Sequence, residues 1–460
     1  MLALDDTIAA ISTPIGEGGI GIVRLSGPLA TAILSQVFVP AAETAQGQPP
    51  HGLMSHCFRY GHVVDNSSGM VVDEVLAVLM RAPRTYTRQD VAEIHCHGGI
   101  VPLRRTLELA LSSGARLAEP GEFTLRAFLN GRIDLAQAEA VLDIVRAKTD
   151  ASLRVALQQL HGGTSQPVKV VRAQLLDALA HVEASLDFPE DEIPPLDLPR
   201  TLTEANEALA GLLAQADQGL IYRHGVRTAI VGRPNVGKSS LLNALLRTSR
   251  AIVTPIPGTT RDTLEETLNL HGVPLCLVDT AGITKSAGPI ERLGIERSQQ
   301  ALQQADLVLL VIDGSEALQG QDFDIAASVG NRTAIVVVNK MDLPLIAEDS
   351  QILPSARHVQ VSALTGENLS LLEDAIVETV FAGQAHTSDV PVISNPRHRD
   401  ILRRAQDHIA GALANSRAED RTDLLAVDLT AAVAALGEIT GEAVSEDVLD
   451  AIFSSFCLGK

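Results

Sequence analysis

Several features that mark secreted or membrane proteins are missing from this sequence. No run of about 18 apolar residues occurs, which argues against a membrane-spanning helix. The first residues, MLALDDTIAAISTP, contain two Asp and no basic segment, so a secretory signal is not expected. Trp is absent, aromatic residues amount to 3%, and 46% of the 460 residues are hydrophobic, as in an ordinary soluble globular protein.

Cysteine is scarce as well, and its spacing argues against two kinds of scaffold. The four cysteines are far apart and form no CxxC pair; they are Cys57, Cys96, Cys276 and Cys457. Neither a disulfide framework nor a zinc knuckle is expected from such spacing. We therefore expect the chain to work in the reduced cytoplasm.

Positive charge is outnumbered by negative charge. Lys and Arg total 36 against 56 Asp and Glu, which gives a net charge of −20. A broad non-specific nucleic-acid binder must neutralise many phosphates, so this balance argues against that class. Two basic stretches remain open either as local RNA contacts or as solvated surface. They contain Arg81, Arg84 and Arg88, and Arg397, Arg399, Arg403 and Arg404.

The pattern of apolar residues changes along the chain and predicts several domains. Residues 1–120 mix strand-like and helical segments, residues 121–221 have helical spacing, and helical spacing returns over 383–460. Between 222 and 382, short apolar runs separated by helical segments are typical of a parallel sheet covered on both faces. These runs are RTAIVG, PLCLVD, DLVLLVID, TAIVVVN and HVQVSA. We predict an α/β amino-terminal domain and a helical domain built from two segments, with an α/β module inserted in it.

The sharpest motif is GRPNVGKSS, from Gly232 to Ser240, which follows one of these strands and opens a helix. That context is the one in which a phosphate-binding loop works, because loop amides and the helix N-terminus point at phosphate oxygens. We expect Lys238 to act in catalysis at the β- and γ-phosphates and Ser239 to ligate Mg²⁺.

Three later motifs predict that the nucleotide is GTP. DTAG can hold a magnesium-bound water and sense the γ-phosphate, and SAL can donate a backbone N–H to the guanine carbonyl. NKMD supplies Asp342, which can accept two N–H groups that guanine offers and adenine does not. The residues predicted to bind GTP are Asn235, Val236, Gly237, Lys238, Ser239, Ser240, Thr254, Pro255, Ile256, Pro257, Gly258, Thr259, Thr260, Asp279, Thr280, Ala281, Gly282, Asn339, Lys340, Asp342, Ser362, Ala363 and Leu364.

The hydrolytic machinery of Ras-like enzymes is incomplete in this sequence. Those enzymes place Gln after the DxxG glycine and use an Arg finger, whereas Ile283 occupies the Gln position here. Asn235 and the loop VTPIPGTTRD (253–262) can instead hold a monovalent cation that stabilises charge as an Arg finger does. The alternative is that Asn235 hydrogen-bonds its own loop.

With these motifs assembled, the chain resembles the tRNA-modification GTPase family MnmE, also called TrmE, nearly from end to end. The specific blocks are DTIAAISTPIGEGGIGIVRLSG, AEPGEFTLRAFLNGRIDLAQAEA, GEITGE and the terminal FCLGK. The resemblance implies a homodimer whose Ras-like P-loop GTPase modules are driven together by potassium. It implies potassium ligands at Asn235, Thr254, Ile256 and Thr259, magnesium ligands at Ser239 and Thr260, and a water-positioning carboxylate at Glu291.

The resemblance also assigns dimerisation and a tetrahydrofolate derivative (5-formyl- or methylene-) to the amino-terminal domain. The positions that match the folate-binding residues are Arg24, Glu93, Arg132 and Lys460. A carboxylate can accept N–H groups of the pterin, and cations can pair with the glutamate tail. His95 and His97 share a strand face around Cys96 and can be read as metal ligands or as packing residues.

Cys457 has three interpretations: a prenylation site, a buried thiol behind Phe453 and Phe456, or part of an active site. Gly459 and Lys460 fit a prenylation signal poorly. The resemblance implies the third interpretation, a thiol beside the folate. A neighbouring cation such as Lys460 would lower the pKa of that thiol, so that it serves as nucleophile or base.

The function implied by the resemblance is a joint reaction with a flavin-dependent partner, MnmG (GidA), in a heterotetramer. Together they would add an aminomethyl or carboxymethylaminomethyl group to carbon 5 of the tRNA wobble uridine. Two alternatives stay open. One is a GTP-dependent ribosome-assembly or switch protein without chemistry of its own, and the other is a folate-dependent transferase with a merely regulatory GTPase.

Overall fold

A computed structural model describes residues 5–41, 54–188, 194, 196–249, 266–278, 302–381, 393–416 and 422–460. A set of the predicted nucleotide and ion ligands lies outside these residues: Thr254, Pro255, Ile256, Pro257, Gly258, Thr259, Thr260, Asp279, Thr280, Ala281, Gly282 and Glu291. The described residues fall into two compact units. The first lies within Met1–Leu142 and Gly437–Lys460, and the second within Asp143–Thr254 and Asp262–Leu436.

The first unit is built on a seven-stranded sheet of strand order β3-β4-β5-β6-β2-β1-β7. Its strands are β1 (Ile8–Ile11), β2 (Gly18–Ser26), β3 (Phe38–Pro40), β4 (Cys57–Asp65), β5 (Met70–Met80), β6 (Val91–Gly98) and β7 (Arg116–Leu117). Neighbouring strands are antiparallel except β1 and β7, which are parallel.

Alternation along the strands gives this sheet two different faces. Val23 and Leu25 of β2 and Ile94 of β6 are buried with helices α1 (Ala30–Val37) and α2 (Ile100–Ser112). Because successive strand residues point to opposite faces, Arg24 and Glu93 lie on the face away from α1 and α2. The register of β2 on β6 places Arg24 directly opposite Glu93, so the fold itself pairs these two charges.

The carboxyl terminus of the chain belongs to the first unit. Helices α3 (Glu122–Leu129) and α13 (Glu446–Phe453) and the first part of α4 (Leu135–Arg146) share a hydrophobic cluster that includes Phe453 and Phe456. Burial of these two rings fixes the residues that lead into the terminal CLGK.

The second unit contains helices drawn from both sides of the inserted module. They are α5 (Asp150–Leu160), α6 (Ser165–Asp187), α7 (Leu198–His224), α11 (Pro396–Asn415) and α12 (Thr422–Thr440), which ends in the first unit. A Cβ at Gly219 in α7 would lie 1.9 Å from the carbonyl oxygen of Ile393. The glycine therefore permits the close approach of the segment that returns after the module.

The inserted module contains a six-stranded sheet of order β13-β12-β11-β8-β10-β9, in which β9 alone is antiparallel. Its strands are β8 (Val226–Val231), β9 (Thr267–Leu270), β10 (Val273–Leu277), β11 (Leu307–Asp313), β12 (Ala334–Asn339) and β13 (Arg357–Gln360). The described helices are α8 (Lys238–Ser249), α9 (Gly320–Val329) and α10 (Leu369–Val380). Successive apolar residues along the strands belong alternately to two separate hydrophobic clusters, so both faces of the sheet are covered.

The predicted fold class is confirmed, with an α/β amino-terminal sheet, a helical region from two chain segments and a P-loop α/β module. The predicted boundaries at 120, 221 and 382 stay a prediction. Among the described residues, no helix has both the length and the apolar character needed to cross a membrane.

Candidate functional site

The phosphate loop joins the end of β8 to the first residue of α8, as the motif requires. Gly237 has φ +100°, and a Cβ there would lie 2.1 Å from Nδ2 of Asn339. Both the backbone conformation and the space therefore demand glycine. Val236 is buried in the core beside it, which anchors the loop to the sheet.

The Lys238 side chain contacts the backbone of the phosphate loop. Its Nζ donates to the carbonyl oxygens of Gly232 (2.8 Å) and Arg233 (2.6 Å). Burial lowers the pKa of the Lys238 ammonium. These bonds hold a positive charge within the loop, next to the amides that bind phosphate in this motif.

Asn339 connects the guanine motifs to the phosphate loop. Its Nδ2 donates to the carbonyl oxygen of Val236 (2.8 Å), and its Oδ1 accepts from the backbone N–H of Ala363 (3.0 Å). One buried amide thus spans GRPNVGKSS, NKMD and SAL. The structure brings these three predicted motifs together at one end of the sheet, where ligands bind in open α/β folds.

The remaining guanine-site residues are oriented by short polar contacts. The Ser362 hydroxyl donates to Oδ1 of Asp342 (2.5 Å), and the Lys340 ammonium pairs with the carboxylate of Asp313. Leu364 exposes 85% of its surface, so its side chain does not pack in the core. These contacts leave the Asp342 carboxylate exposed at the edge of the nucleotide site, where it can accept N–H groups of a base.

Arg233 is a site residue that the sequence analysis did not identify. Its side chain is buried and donates from Nε to Oδ1 of Asp322 (2.9 Å), which is also buried. Asp322 forms a capping box with Gln319 at the start of α9. The pair ties the phosphate loop to that helix, and no local pattern links two positions so far apart in sequence.

Asn235 lies within the phosphate loop with its side chain exposed. It has φ +66°, is exposed, and its side chain makes no hydrogen bond to another residue that the structure describes. The alternative in which it bonds its own loop is therefore not observed. Ser239 lies in the first turn of α8, where the motif places its magnesium ligand.

The histidines around Cys96 each have a carboxylate neighbour. His95 Nε2 lies 3.3 Å from Glu93, and His97 Nδ1 lies 2.6 Å from Asp73, whose hydrogen bond raises the pKa of His97. Within the described ranges, no group of three His, Cys, Asp or Glu can hold a metal. The metal-ligand interpretation thus has no support there.

Three of the four predicted folate residues come from separate segments that meet on the face of the first sheet that points away from α1 and α2. Arg24 donates from Nε to Oε1 of Glu93 (2.8 Å) and from Nη1 to the carbonyl oxygen of Gly459 (3.1 Å). Gly459 has φ +86°, and a Cβ there would lie 2.6 Å from the carbonyl oxygen of Ile11. The tail therefore docks against β1 and brings Lys460 to this face.

Arg132, the fourth predicted residue, reaches the same region through an aromatic pair. Its guanidinium lies 4.7 Å from the centroid of Tyr86, and that of Arg24 lies 5.7 Å from the centroid of Phe123. Burial raises the pKa of Tyr86, while the charges of Arg132 and Arg24 act in the opposite direction. Each of the two cations therefore lies over an aromatic ring of its own. One carboxylate, several cations and flat rings fit a pterin with a glutamate tail.

A buried ion network supports helix α3, which carries Phe123. The fully buried Arg126 donates to Glu122 (2.8 Å) and to Asp6, and Arg116 bonds both of those carboxylates. Burial alone would raise the pKa of Asp6 and Glu122, yet the arginine hydrogen bonds hold both below their ordinary values. Neither this network nor Tyr86 was predicted from the sequence.

Cys457 is exposed, so the interpretation as a buried thiol is wrong. Phe453 and Phe456 are the buried members of that segment. The Cys457 carbonyl oxygen accepts from the backbone N–H groups of Lys460 (3.3 Å) and Gly121 (3.5 Å). The backbone is thus held near α3, while the thiol is left accessible to a reactant.

Two family models and several known proteins are similar to this chain. A family model described as "GTP-binding protein TrmE N-terminus" matches residues 7–132, and one described as "MnmE helical domain" matches residues 135–457. The tRNA modification GTPase MnmE of Roseiflexus castenholzii is 52% identical over 470 residues, which cover 99% of each chain.

Other similar proteins carry the same name. That of Chloroflexus aurantiacus is 51% identical over 460 residues, 99% of this chain and 100% of the relative, and that of Geobacillus kaustophilus is 50% identical over 463 residues, 99% of each. Among solved structures, a variant of Aquifex aeolicus Era bound to GDP and aluminium fluoride is 32% identical. The match covers 39% of this chain and 65% of that one, with a TM-score of 0.27.

Proposed function

Because this chain belongs to the MnmE family and is a tRNA modification GTPase, we propose that potassium stimulates its GTP hydrolysis. We further propose that hydrolysis serves a folate-dependent modification of carbon 5 of the wobble uridine. The observation that carries the nucleotide assignment is the Asn339 amide, which holds Val236 of the phosphate loop and Ala363 of the guanine loop. Family membership argues against the ribosome-assembly alternative.

The potassium proposal rests on Asn235 and on Ile283, which stands where Ras-like enzymes have the Gln that orients the attacking water. The exposed Asn235 side chain belongs to the phosphate loop and makes no hydrogen bond to another described residue. Thr254, Ile256 and Thr259 would complete the set of oxygen ligands. Bound there, potassium would supply the positive charge that stabilises the transition state.

The other residues of the GTPase module have distinct tasks. Lys238 would neutralise the β- and γ-phosphates, and Ser239 and Thr260 would hold Mg²⁺. Glu291 would orient the attacking water by accepting its hydrogen bond. Ile283 cannot take over that role, because its side chain has no polar atom.

For the first unit, we propose that Glu93 accepts N–H groups of a pterin and that Arg24, Arg132 and Lys460 bind carboxylates of the folate. The docked tail supports this assignment, since Arg24 contacts both Glu93 and Gly459. The exposed Cys457 thiol would act as nucleophile or base on the uridine. The protein would act as a homodimer in a cytoplasmic heterotetramer with the flavin-dependent MnmG.

The structure also offers a route by which hydrolysis can drive a conformational cycle. The turn between β9 and β10 contacts the helical region, because the Thr149 hydroxyl donates to the carbonyl oxygen of Gly272 (2.9 Å). Strand β10 leads directly into DTAG. A change at that motif can therefore be passed to helix α5 through the hairpin.

The test of this function is the rate of GTP hydrolysis in KCl and in NaCl at equal ionic strength. We expect the wild-type rate to rise about tenfold or more in KCl. Removal of one group that stabilises charge in the transition state typically lowers the catalytic rate by about 10²- to 10³-fold. Asn235→Ala should remove most of that stimulation. Asn331→Ala, another exposed asparagine of the module, should retain it. Equal rates in the two salts would refute the potassium proposal.

A further inference from the structure

Three arginines beside the candidate folate site are not neutralised within the part of the chain that the structure describes. Arg84 and Arg88 lie in the basic loop, defined as residues 81–90, and Arg132 follows α3. Arg81 of the same loop pairs with Asp90 at 3.8 Å. By contrast, Arg84, Arg88 and Arg132 have no described carboxylate within 4.0 Å. The chain has a net charge of −20, so acidic residues are plentiful. A group of arginines without a carboxylate partner therefore calls for a physical explanation.

Two of these arginines are held side by side by reciprocal contacts. Arg88 donates from Nη1 to the carbonyl oxygen of Asn130 (2.9 Å), and Arg132 donates from Nη1 to that of Tyr86 (3.2 Å). Each cation therefore binds the backbone next to the other one. Like charges held in this way repel each other, and a bound anion relieves the repulsion.

The remaining donors of both guanidinium groups suit carboxylates. A guanidinium has five N–H donors in a planar fork that matches a carboxylate, and the one carbonyl contact of each leaves most of them available. The Tyr86 ring fixes the plane of Arg132 by stacking at 4.7 Å. The site is thus oriented before a ligand arrives.

We infer that Arg88 binds the additional γ-linked glutamates of a polyglutamylated folate. This inference rests on the proposed function, in which Arg132 binds the first glutamate. The next carboxylate of such a chain would lie one residue further along, where the neighbouring Arg88 stands. The ligand is therefore a linear chain of carboxylates that continues from the pterin site.

An RNA backbone is the rival ligand with similar chemistry. RNA binding normally requires many phosphate contacts, whereas only a few uncompensated arginines gather here on an acidic chain. Because Arg88 lies beside Arg132, which is proposed to bind the first glutamate, the polyglutamate is the favoured ligand.

The test compares the affinities of the full-length protein for tetrahydrofolate monoglutamate and triglutamate by isothermal titration calorimetry. We expect the triglutamate to bind roughly three- to tenfold more tightly, as one or two partly exposed ion pairs provide, and the preference to shrink at high salt. Arg88→Gln should remove most of the preference, and Arg88→Lys should retain most of it because the charge remains.

Arg104→Gln is the matched control, because Arg104 is exposed in the same unit but pairs with Glu108 at 3.6 Å. It should keep the preference. Unfolding temperatures of all variants should equal that of the wild type, which excludes misfolding as the cause of any loss.

Three results would overturn the inference. The first is equal wild-type affinity for both folates, and the second is an unchanged preference in Arg88→Gln. The third is a loss of tRNA affinity in Arg88→Gln without any polyglutamate preference, which would assign the surface to RNA. Failure of the wild type to bind even the monoglutamate would instead refute the proposed folate site itself, and with it this extension.

Discussion

The nucleotide site takes its loop, its lysine and its helix start from residues 232–240, whereas the proposed folate site would gather Arg24, Glu93, Arg132 and Lys460 from four distant segments. The first is held mainly by backbone geometry, since Gly237 has φ +100° and Lys238 bonds two loop carbonyls. The second is held by side-chain pairs such as Arg24 with Glu93.

This difference in construction has a physical consequence. Backbone geometry leaves little room for adjustment, so one added atom in the phosphate loop should abolish binding. A site built from several ion pairs and stacked rings can lose one member and still retain part of its affinity. The largest effect is therefore expected at the phosphate loop.

Gly237→Ala should abolish GTP binding. Its Cβ would lie 2.1 Å from Nδ2 of Asn339, and the backbone conformation is unfavourable for alanine. The amide that joins three motifs would have to move. We expect affinity for a fluorescent GTP analogue to fall at least about 100-fold, since displacing the amide combines strain with lost hydrogen bonds.

Gly330→Ala is the matched control for this change. Gly330 also has positive φ, at +62°, but a Cβ there would meet nothing within 4 Å. The Gly330→Ala variant therefore has the backbone strain but no steric clash. Near wild-type affinity in Gly237→Ala, or an equal loss in both variants, would show that the loop is more adaptable than its contacts indicate.

Cys457→Ser should separate the two sites functionally. The exposed thiol lies in the first unit, while the phosphate loop lies in the second. We expect tRNA modification to fall below about 1% of the wild-type level, because a hydroxyl is a far weaker nucleophile than a thiolate at neutral pH. GTP hydrolysis should stay within about twofold. Mass spectrometry of tRNA nucleosides and a phosphate-release assay measure the two activities.

The control for that variant is Cys57→Ser, which alters another exposed cysteine of the same unit. Its modification activity should equal that of the wild type. Normal modification by Cys457→Ser would remove the thiol from the mechanism, whatever the result for the GTPase.

The same contrast explains what the sequence could predict. The strands β8, β10, β11, β12 and β13 were predicted because continuous apolar runs are enough to identify a parallel strand. The short β9 lies at the edge of the sheet, carries only four residues and was missed. A local sequence pattern can predict only local structure, whereas β9 is a strand because it pairs with β10.

The candidate sites follow the same rule. Contiguous spacing predicted Lys238 and Asp342, whereas the proposed folate residues could be predicted only through family resemblance. Tyr86 and Arg126 were missed because their roles arise from contacts with chain segments distant in sequence, such as Tyr86 with Arg132. No periodicity or motif records a stacking distance or a buried ion network.

The smallest expected effect concerns the acid stability of the first unit. Asp6 and Glu122 have pKa values below their ordinary 3.8 and 4.5, because hydrogen bonds from Arg116 and Arg126 outweigh the opposing effect of burial. Groups with depressed pKa values stabilise the fold above their unfolded pKa, and this contribution is lost as the pH falls through the folded value. The unit should therefore lose stability below about pH 4.5.

Calorimetric unfolding between pH 6 and pH 3 measures this loss. We expect the unfolding temperature of the first unit to fall by about 2–4 °C for each carboxylate protonated, the shift that about 1 kcal/mol causes in a domain of this size. Glu122→Gln should start lower at pH 6 but show a shallower decline, because one of the two titrating groups is gone. An equally steep decline in that variant would show that other carboxylates control acid unfolding. The ion network would then orient helix α3 without governing the response of the unit to acid.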